Sequence, residues 1–478
     1  MKNVLYGIRN GIDRYFGVTD KGSTFSKEIL AGILVFFSMM YILPVNSSIL
    51  SNITMADGNQ IPSGAIFAAT AICTFICTFI MGIFARLPLM LSCSMGMNAY
   101  LAFTVSGQLG FTMEECFAIV IVSGILFFIL SVSGLRMKIV NALPKGLKLA
   151  ISAGLGFFIA FVGLKMGGII VEDSTTLVKL NSFDPSNGNG YVLLCLFGIV
   201  LGIALNVCKV KIIKQFSIII ALAVTALLGG FLGLAGIENM PMFIPSGENT
   251  NNISDISLVF GSGFKGFTTI FANPSTYGVI ISLLIVNVFD TTATLVGLGP
   301  KIGIINEEHK MVNYKKAFFT DGIAPIVGGI VGTSPIATFA ESSVGVEFGS
   351  KTGISAITTS LLFALMLAIS PVFNVFLPID IGNGNTVTPV TALPLVLVGA
   401  MMFIHLKDLN WQDWIEVCAS FITVIMMILT YSLTDGIAFG VIAYTVMMIC
   451  SGQFRKISVL MYVLCAIFIV NFVILAIL

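Results

Sequence analysis

The chain has 478 residues, of which 57% are hydrophobic and 10% charged, and its formal net charge is +1. No soluble domain of this length hides so much apolar surface, so the composition excludes an ordinary globular enzyme or binding module. The near-neutral balance, without a basic cluster interleaved with aromatics, gives no reason to expect nucleic acid as a partner.

Apolar runs near 20 residues recur from about residue 30 onward, which suits helices crossing a hydrocarbon core of about 30 Å; barrel strands would alternate over about ten residues. The expected class is therefore an all-α polytopic membrane protein, embedded in the cell membrane by many passes. Residues 1–29 are polar and basic, without the short apolar core of a cleavable signal peptide. Within them Leu5, Ile8, Ile12 and Phe16 fall on one helical face with Arg9 and Arg14 opposite, the pattern of an interfacial helix.

The predicted spans are 30–50, 63–85, 90–105, 115–134, 149–165, 191–208 and 215–236, then, after a polar linker over 237–274, 275–298, 317–332, 334–349, 354–377, 391–406, 414–432 and 435–451. Lys and Arg collect in alternate links: Lys2 to Lys27, Arg86, Arg136 to Lys148, Lys209 to Lys214, Lys301 to Lys316, Lys351, Lys407, and Arg455 with Lys456. The positive-inside rule then predicts a cytoplasmic N-terminus, an extracytoplasmic 237–274 linker and about 14 transmembrane segments. Lys165 and Lys179 fall on the wrong side for that rule. Seven spans per half force the halves, 30–236 and 275–451, into opposite orientation, as two inverted seven-helix repeats. In the C-terminal segment 452–478, the apolar run 457–476 either crosses or lies along the interface.

The third and tenth spans are interrupted in the same way. Met90 to Val105 carries Ser92, Ser94, Gly96 and Asn98, and 332–347 is too short and polar to cross. Matching interrupted segments in inverted halves point to a transporter whose site lies at the midplane; the plainer reading is two Gly- and Ser-rich packing helices. As a half-helix, the tenth span would start with Ser334 as N-cap and Pro335 in its first turn. Ser334, Thr338, Glu341 and Ser342 would then share one face. A carboxylate at membrane depth costs about 2.5–3.5 kcal/mol on insertion scales, so Glu341 must face protein or water.

In the eighth span Asn287, Asp290, Thr291 and Thr294 also share a helical face. Asp290, Glu341, Asn98 and Asn287, with hydroxyls around them and no Lys or Arg in the same spans, form an acidic, hydrogen-bonding pocket that suits a cation or a neutral ligand presenting N–H groups. Phe289, Phe339 or Tyr100 could cover a flat heterocycle, although Phe289 reads equally well as packing bulk. Partial burial would raise one carboxylate enough to carry a proton with the substrate. Other acids read more plainly: Asp321 at the inner end of span nine and Asp435 in a Thr-Asp-Gly turn as caps, Glu347 as a solvated group, and Asn46 as part of a helix terminus. Cys73 and Cys77, one turn apart without a His or acid beside them, read as small buried hydrophobes. Two histidines, His309 and His405, give no basis for a metal centre, and no cofactor is expected.

At these residues the chain resembles the AzgA-like purine permeases of the nucleobase-cation symporter group. The shared stretches run in order along nearly the whole chain: Glu28-Ile-Leu-Ala-Gly-Ile, Tyr41-Ile-Leu-Pro-Val-Asn, Met95-Gly-Met-Asn-Ala-Tyr, Leu143-Pro-Lys-Gly-Leu-Lys, Phe289-Asp-Thr-Thr-Ala-Thr-Leu, Gly332-Thr-Ser-Pro-Ile-Ala-Thr-Phe-Ala-Glu-Ser and Thr434-Asp-Gly-Ile-Ala-Phe-Gly. The resemblance implies core and gate domains, proton-coupled uptake of adenine, guanine or hypoxanthine by elevator-like alternating access, and a substrate site between spans three, eight and ten. It places Asn98, Asp290 and Glu341 at family motif positions, with Glu341 and Asp290 as coupling candidates. The family's eighth span commonly reads Asp-x-x-Asp, and Asn287 stands at the first acid: an amide there can bond a ligand but cannot carry a proton. An anion exchanger of the same fold is the runner-up reading, opposed by the lack of a basic residue at the site. An intramembrane enzyme would need a motif such as HExxH or GxSxG, and neither is evident. A homodimer stays an open expectation.

Overall fold

The computed structural model describes residues 10–173, 175–184, 188–242, 253–304, 314–368, 375–376, 378–381 and 386–477. Within the expected interfacial helix, residues 10–16 are helical and residues 1–9 lie outside the described residues. His309 and the side chain of His405 lie outside them as well.

In chain order, the first span is broken into α1 (Phe25–Met39) and α2 (Ile42–Leu50), and α3 (Ser63–Ile80) ends in a π-helical turn, Met81–Ala85. The third span is β1 (Leu91–Cys93), α4 (Met95–Ala99) and a π-helical stretch, Tyr100–Ser106. Then come α5 (Met113–Ser133), α6 (Leu135–Ala142), α7 (Lys145–Met166), the hairpin β2 (Ile170–Asp173) and β3 (Leu177–Leu180), α8 (Gly190–Val207) and α9 (Ser217–Leu234). The second half has α10 (Ser275–Ile302), α11 (Lys315–Val331), β4 (Ile336–Thr338), α12 (Ser342–Phe348), α13 (Gly353–Met366), α14 (Pro389–Phe403), α15 (Trp414–Leu429), α16 (Leu433–Cys450) and α17 (Val459–Ile477). Eight helices among the described residues are long and apolar enough to cross a membrane. With α11, the shorter apolar helices and the two interrupted segments, they fit the expectation of about fourteen passes.

The ends of these helices are chosen by local chemistry. Thr112 and Glu115 form a capping box at the start of α5, and Thr24, Asp413 and Ser432 accept backbone N–H groups at the starts of α1, α15 and α16. Asp435 lies in the first turn of α16, three residues after its cap.

The helices pack as two groups. In the first, α5 lies on α11 and α10, and α13 lies on α1 and α3; in the second, α7 packs on α14 and α15, α8 on α9 and α14, and α15 on α16. Glycines set the closest approaches: a Cβ on Gly353 would lie 1.9 Å from the Gly82 carbonyl oxygen in the first group, and one on Gly399 would lie 2.3 Å from that of Gly156 in the second. Small residues bring helices together in this way where lipid removes the hydrophobic drive between them. The two groups match the core and gate division.

Lys165 and Lys179, the exceptions in the charge pattern, are both paired with acids of the hairpin, Lys165 at the end of α7 with Glu172 at 3.0 Å and Lys179 with Asp173 at 2.9 Å. The Lys179 ammonium, with the backbone N–H groups of Thr176 and Thr175, holds the Asp173 carboxyl well below the usual range. Cys73 and Cys77 are free and buried in α3, as small hydrophobes would be.

Candidate functional site

The third and tenth spans meet as a two-stranded antiparallel ribbon, with Leu91 opposite Thr338, Ser92 opposite Ala337 and Cys93 opposite Ile336. This corrects the half-helix expected at Ser334: residues 336–338 are extended, Ser334 is no N-cap, and the helix of this segment begins only at Ser342. The reason lies in backbone satisfaction. Away from water each strand needs a partner for its N–H and C=O groups, and non-helical backbone at membrane depth is tolerated only inside protein. Here each strand is the other's partner. Pairing continues past both ends, where Ser94 N–H donates to the Pro335 carbonyl at 3.0 Å and Phe339 N–H to that of Met90 at 2.9 Å.

Hydroxyls satisfy much of the outer edge. Leu91 N–H donates to Thr78 Oγ1, which itself donates to the Leu91 carbonyl, both at 2.9 Å. Met90 N–H donates to Ser342 Oγ at 3.0 Å, so Ser342 supports backbone instead of standing in a polar stripe with Ser334 and Thr338. The strand can double back over α11 because Gly332, at φ +95°, ends that helix and Gly328 has no side chain where the Ser334 carbonyl passes, 2.6 Å from a built Cβ.

Asn46 is corrected from helix terminus to the centre of a fully buried network. Pro44 does not end a helix; it sits in the first turn of α2, where a missing N–H costs little. The Asn46 amide donates to Thr70 Oγ1 at 2.7 Å and Thr333 Oγ1 at 2.9 Å, and its Oδ1 accepts from Asn98 Nδ2 at 2.8 Å and Ser334 Oγ at 3.4 Å. Asn98 and Ser334 thus join this network at the ribbon, and Asn98 Oδ1 accepts from Ala99 N–H.

One carboxylate stands at each end of the ribbon. Asp290 of α10, part-buried, accepts from Ser94 Oγ at 3.1 Å, just past β1; Glu341, also part-buried, lies in the turn after β4 and accepts from Tyr41 Oη at 2.6 Å. Tyr41 sits in the break between α1 and α2. One turn before Asp290, the buried Oδ1 of Asn287 finds no hydrogen-bond partner among the described residues. Phe289, Phe339 and Tyr100 are all buried beside these segments. Thr294 bonds back to the Asp290 carbonyl, as a hydroxyl on a helix often does.

Two residues read as peripheral belong here instead. Arg136, counted with the inner basic cluster, is fully buried, and Asp321, read as a cap, pairs with it at 2.7 Å with neither side chain exposed. Thr338, expected to face the ligand, donates to the other Asp321 oxygen at 2.7 Å. Glu347 lies outside all this, half exposed and 3.7 Å from Lys301.

A polytopic helical protein that closes a short ribbon between inverted segments, with acceptors at both ends, has the form of a membrane carrier. The chain belongs to the permease family described as Xan_ur_permease, whose model matches residues 26–439. It is 34% identical over 462 residues to the guanine/hypoxanthine permease PbuG of Bacillus subtilis (strain 168), covering 96% of this chain and 99% of that one. It is 30% identical over 464 residues to the adenine permease AdeQ of Escherichia coli (strain K12), covering 96% and 95%. In three dimensions it resembles the transmembrane domain of the cyanobacterial bicarbonate transporter BicA, with a TM-score of 0.57 at 13% identity over 87% of this chain and 97% of that one. That likeness establishes the fold. Family and relatives are permeases, so the chain is a multi-pass membrane transporter and not an enzyme.

Proposed function

We propose that the protein imports purine nucleobases, adenine, guanine or hypoxanthine, by proton symport, with the first helix group moving against the second in an elevator-like cycle. The observation that carries the reading is the acceptor set around the ribbon: two carboxylates, Asp290 and Glu341, held by single hydroxyl donors, and the unbonded Asn287 oxygen between them in function. A neutral heterocycle with ring and exocyclic N–H groups complements such a set. The relatives' named substrates belong to that chemical class.

In this reading Asn287, Asp290 and Glu341 take the purine edge, and Phe289 closes on its plane. Asn98, Ser334 and Thr338 act behind them by holding the ribbon. The proton travels on Glu341 or Asp290, because Asn287 cannot carry one. Each positive charge moved inward gains about 2.3 kcal/mol per 100 mV of membrane potential. The N-terminus faces the cytoplasm on the positive-inside pattern. An anion exchanger would need a free cation at the site, whereas the Arg136 guanidinium is engaged by Asp321 and threonines. Counterflow of labelled adenine, guanine and hypoxanthine in proteoliposomes, with and without an inward proton gradient, tests the proposal. Absence of uptake for all three overturns it, and uptake indifferent to the gradient overturns the symport.

A further inference from the structure

Among the described residues no hydrogen bond joins the eighth span directly to the tenth-span strand, yet one buried cation links them, bonding the span itself and reaching the strand through Asp321. Arg136 projects from the first turn of α6, two residues after the left-handed Gly134 that ends α5. Its Nε donates to Thr292 Oγ1 at 2.8 Å, its Nη2 to Thr291 Oγ1, and its Nη1 to Asp321 Oδ2 at 2.7 Å and Ser131 Oγ at 3.5 Å. The rings of Phe127 and Phe318 lie 4.8 and 4.4 Å from the guanidinium carbon.

The bonds continue outward on each side. Thr291, the residue after Asp290, donates to the Asn287 carbonyl at 2.8 Å, and Asp321 Oδ1 accepts from Thr338 of β4 at 2.7 Å. A single run of hydrogen bonds therefore connects the helical turn bearing Asn287 and Asp290 to the strand that leads into Glu341. It passes through four elements, α10, α6, α11 and β4, and Ser131 of α5 joins it as a side branch.

Burying such a pair costs several kcal/mol of desolvation per ion, and apolar residues of equal size often hold a core as well, so attraction alone does not account for it. What the planar guanidinium supplies is direction: fixed donors aimed at four acceptors at once, which the flexible ammonium of a lysine cannot reproduce.

We propose that Arg136 and Asp321 are the positioning pair of the substrate site, fixing the Asn287–Asp290 turn and the β4–Glu341 segment at one separation. The inference rests on reading that site as the nucleobase site. Arg136→Lys keeps the charge but loses the fork, so it is expected to raise KM for the transported purine about tenfold, the loss of one charge-assisted hydrogen bond, with Vmax nearly unchanged. Hydrogen exchange without substrate should quicken selectively in peptides covering 287–294 and 334–340.

The experiment compares wild type, Arg136→Lys and the neutral double variant Arg136→Gln/Asp321→Asn in proteoliposomes and in substrate-free exchange. Should the lysine variant fail to fold, the double variant, which leaves no unpaired buried charge, carries the same expectation. A KM within about twofold of wild type, unchanged exchange in either segment, or faster exchange spread evenly along the chain overturns the positioning role. If the wild type takes up no purine, the substrate reading falls, while the exchange result still decides the positioning.

Discussion

Tyr41→Phe removes one O–H from a buried ring and leaves the ring in place. That O–H donates to Glu341 Oε1 at 2.6 Å, and Tyr41 itself is 1% exposed. A hydrogen bond to a charged group contributes about 1.5–3 kcal/mol, and because Glu341 is only part-buried, water can replace some of it, which favours the lower end. A loss of about 1.5 kcal/mol in the alignment of Glu341 corresponds to about a tenfold rise in KM. Initial-rate uptake of labelled hypoxanthine or guanine over a concentration series measures it, alongside Glu341→Gln and the double variant. Two groups in direct contact should show a coupling of at least about 0.5 kcal/mol in the double-mutant cycle. An unchanged KM for Tyr41→Phe, or additive effects in the double variant, would refute the argument that the tyrosine aims the carboxylate.

Glu341→Gln is expected to abolish high-affinity uptake, whereas Glu347→Gln should leave it near wild type, since the Glu347–Lys301 pair is about half exposed and such pairs contribute about 0–1 kcal/mol; equal loss in both would reduce Glu341 to a structural group. Asn287→Asp should alter either the purine panel or the pH profile of uptake, and identical panels and profiles would remove Asn287 from the site. Gly353→Ala should abolish folded expression, read by size-exclusion profile, because its Cβ meets the Gly82 carbonyl oxygen at 1.9 Å, and backbone has little room to give. In the hairpin, Asp173 has a depressed folded-state pKa, so its contribution is present above the ordinary carboxylate value and is lost only as pH falls through the depressed one. Protease sensitivity of the hairpin should therefore be equal at about pH 5 and about pH 8 in wild type; a clear rise at the lower pH would contradict the pairing.

The fold class and the two acids were legible because both are matters of composition and depth. Apolar runs of membrane length announce helices, and a carboxylate inside one stands out at once. The ribbon was not legible. Leu-Ser-Cys and Ile-Ala-Thr are too short to show a period of two, and the residues around the second strand happen to satisfy a helical spacing. What makes them strands is each other, across the 245 positions of sequence that separate the paired Ser92 and Ala337. Asn46 and Arg136 were misplaced for a related reason: Pro44 suggested a terminus, and neighbouring lysines suggested an inner surface. Their partners, Thr333 and Asp321, lie 287 and 185 residues away. Local pattern gives the chemistry that a residue can do; only the long-range pairing gives what it touches.

In the proposed reading the ribbon also explains why inverted halves make a site at all. Opposed orientation lets the two interrupted segments run antiparallel, so each supplies the backbone partners that the other lacks, and no water is needed to satisfy them. Side chains near the strand ends are then released from that duty. Where hydroxyls take over the backbone, as at Thr78 and Ser342, the side chain is consumed. Asp290, Glu341 and Asn287 are left with fewer bonds than they can make, one donor on each carboxylate in the bonds described and none on the amide oxygen. Unfilled acceptor capacity next to a fully satisfied scaffold is what a selective carrier requires: the scaffold sets the geometry, and the bonds still to be made are those that a ligand with matching N–H groups supplies.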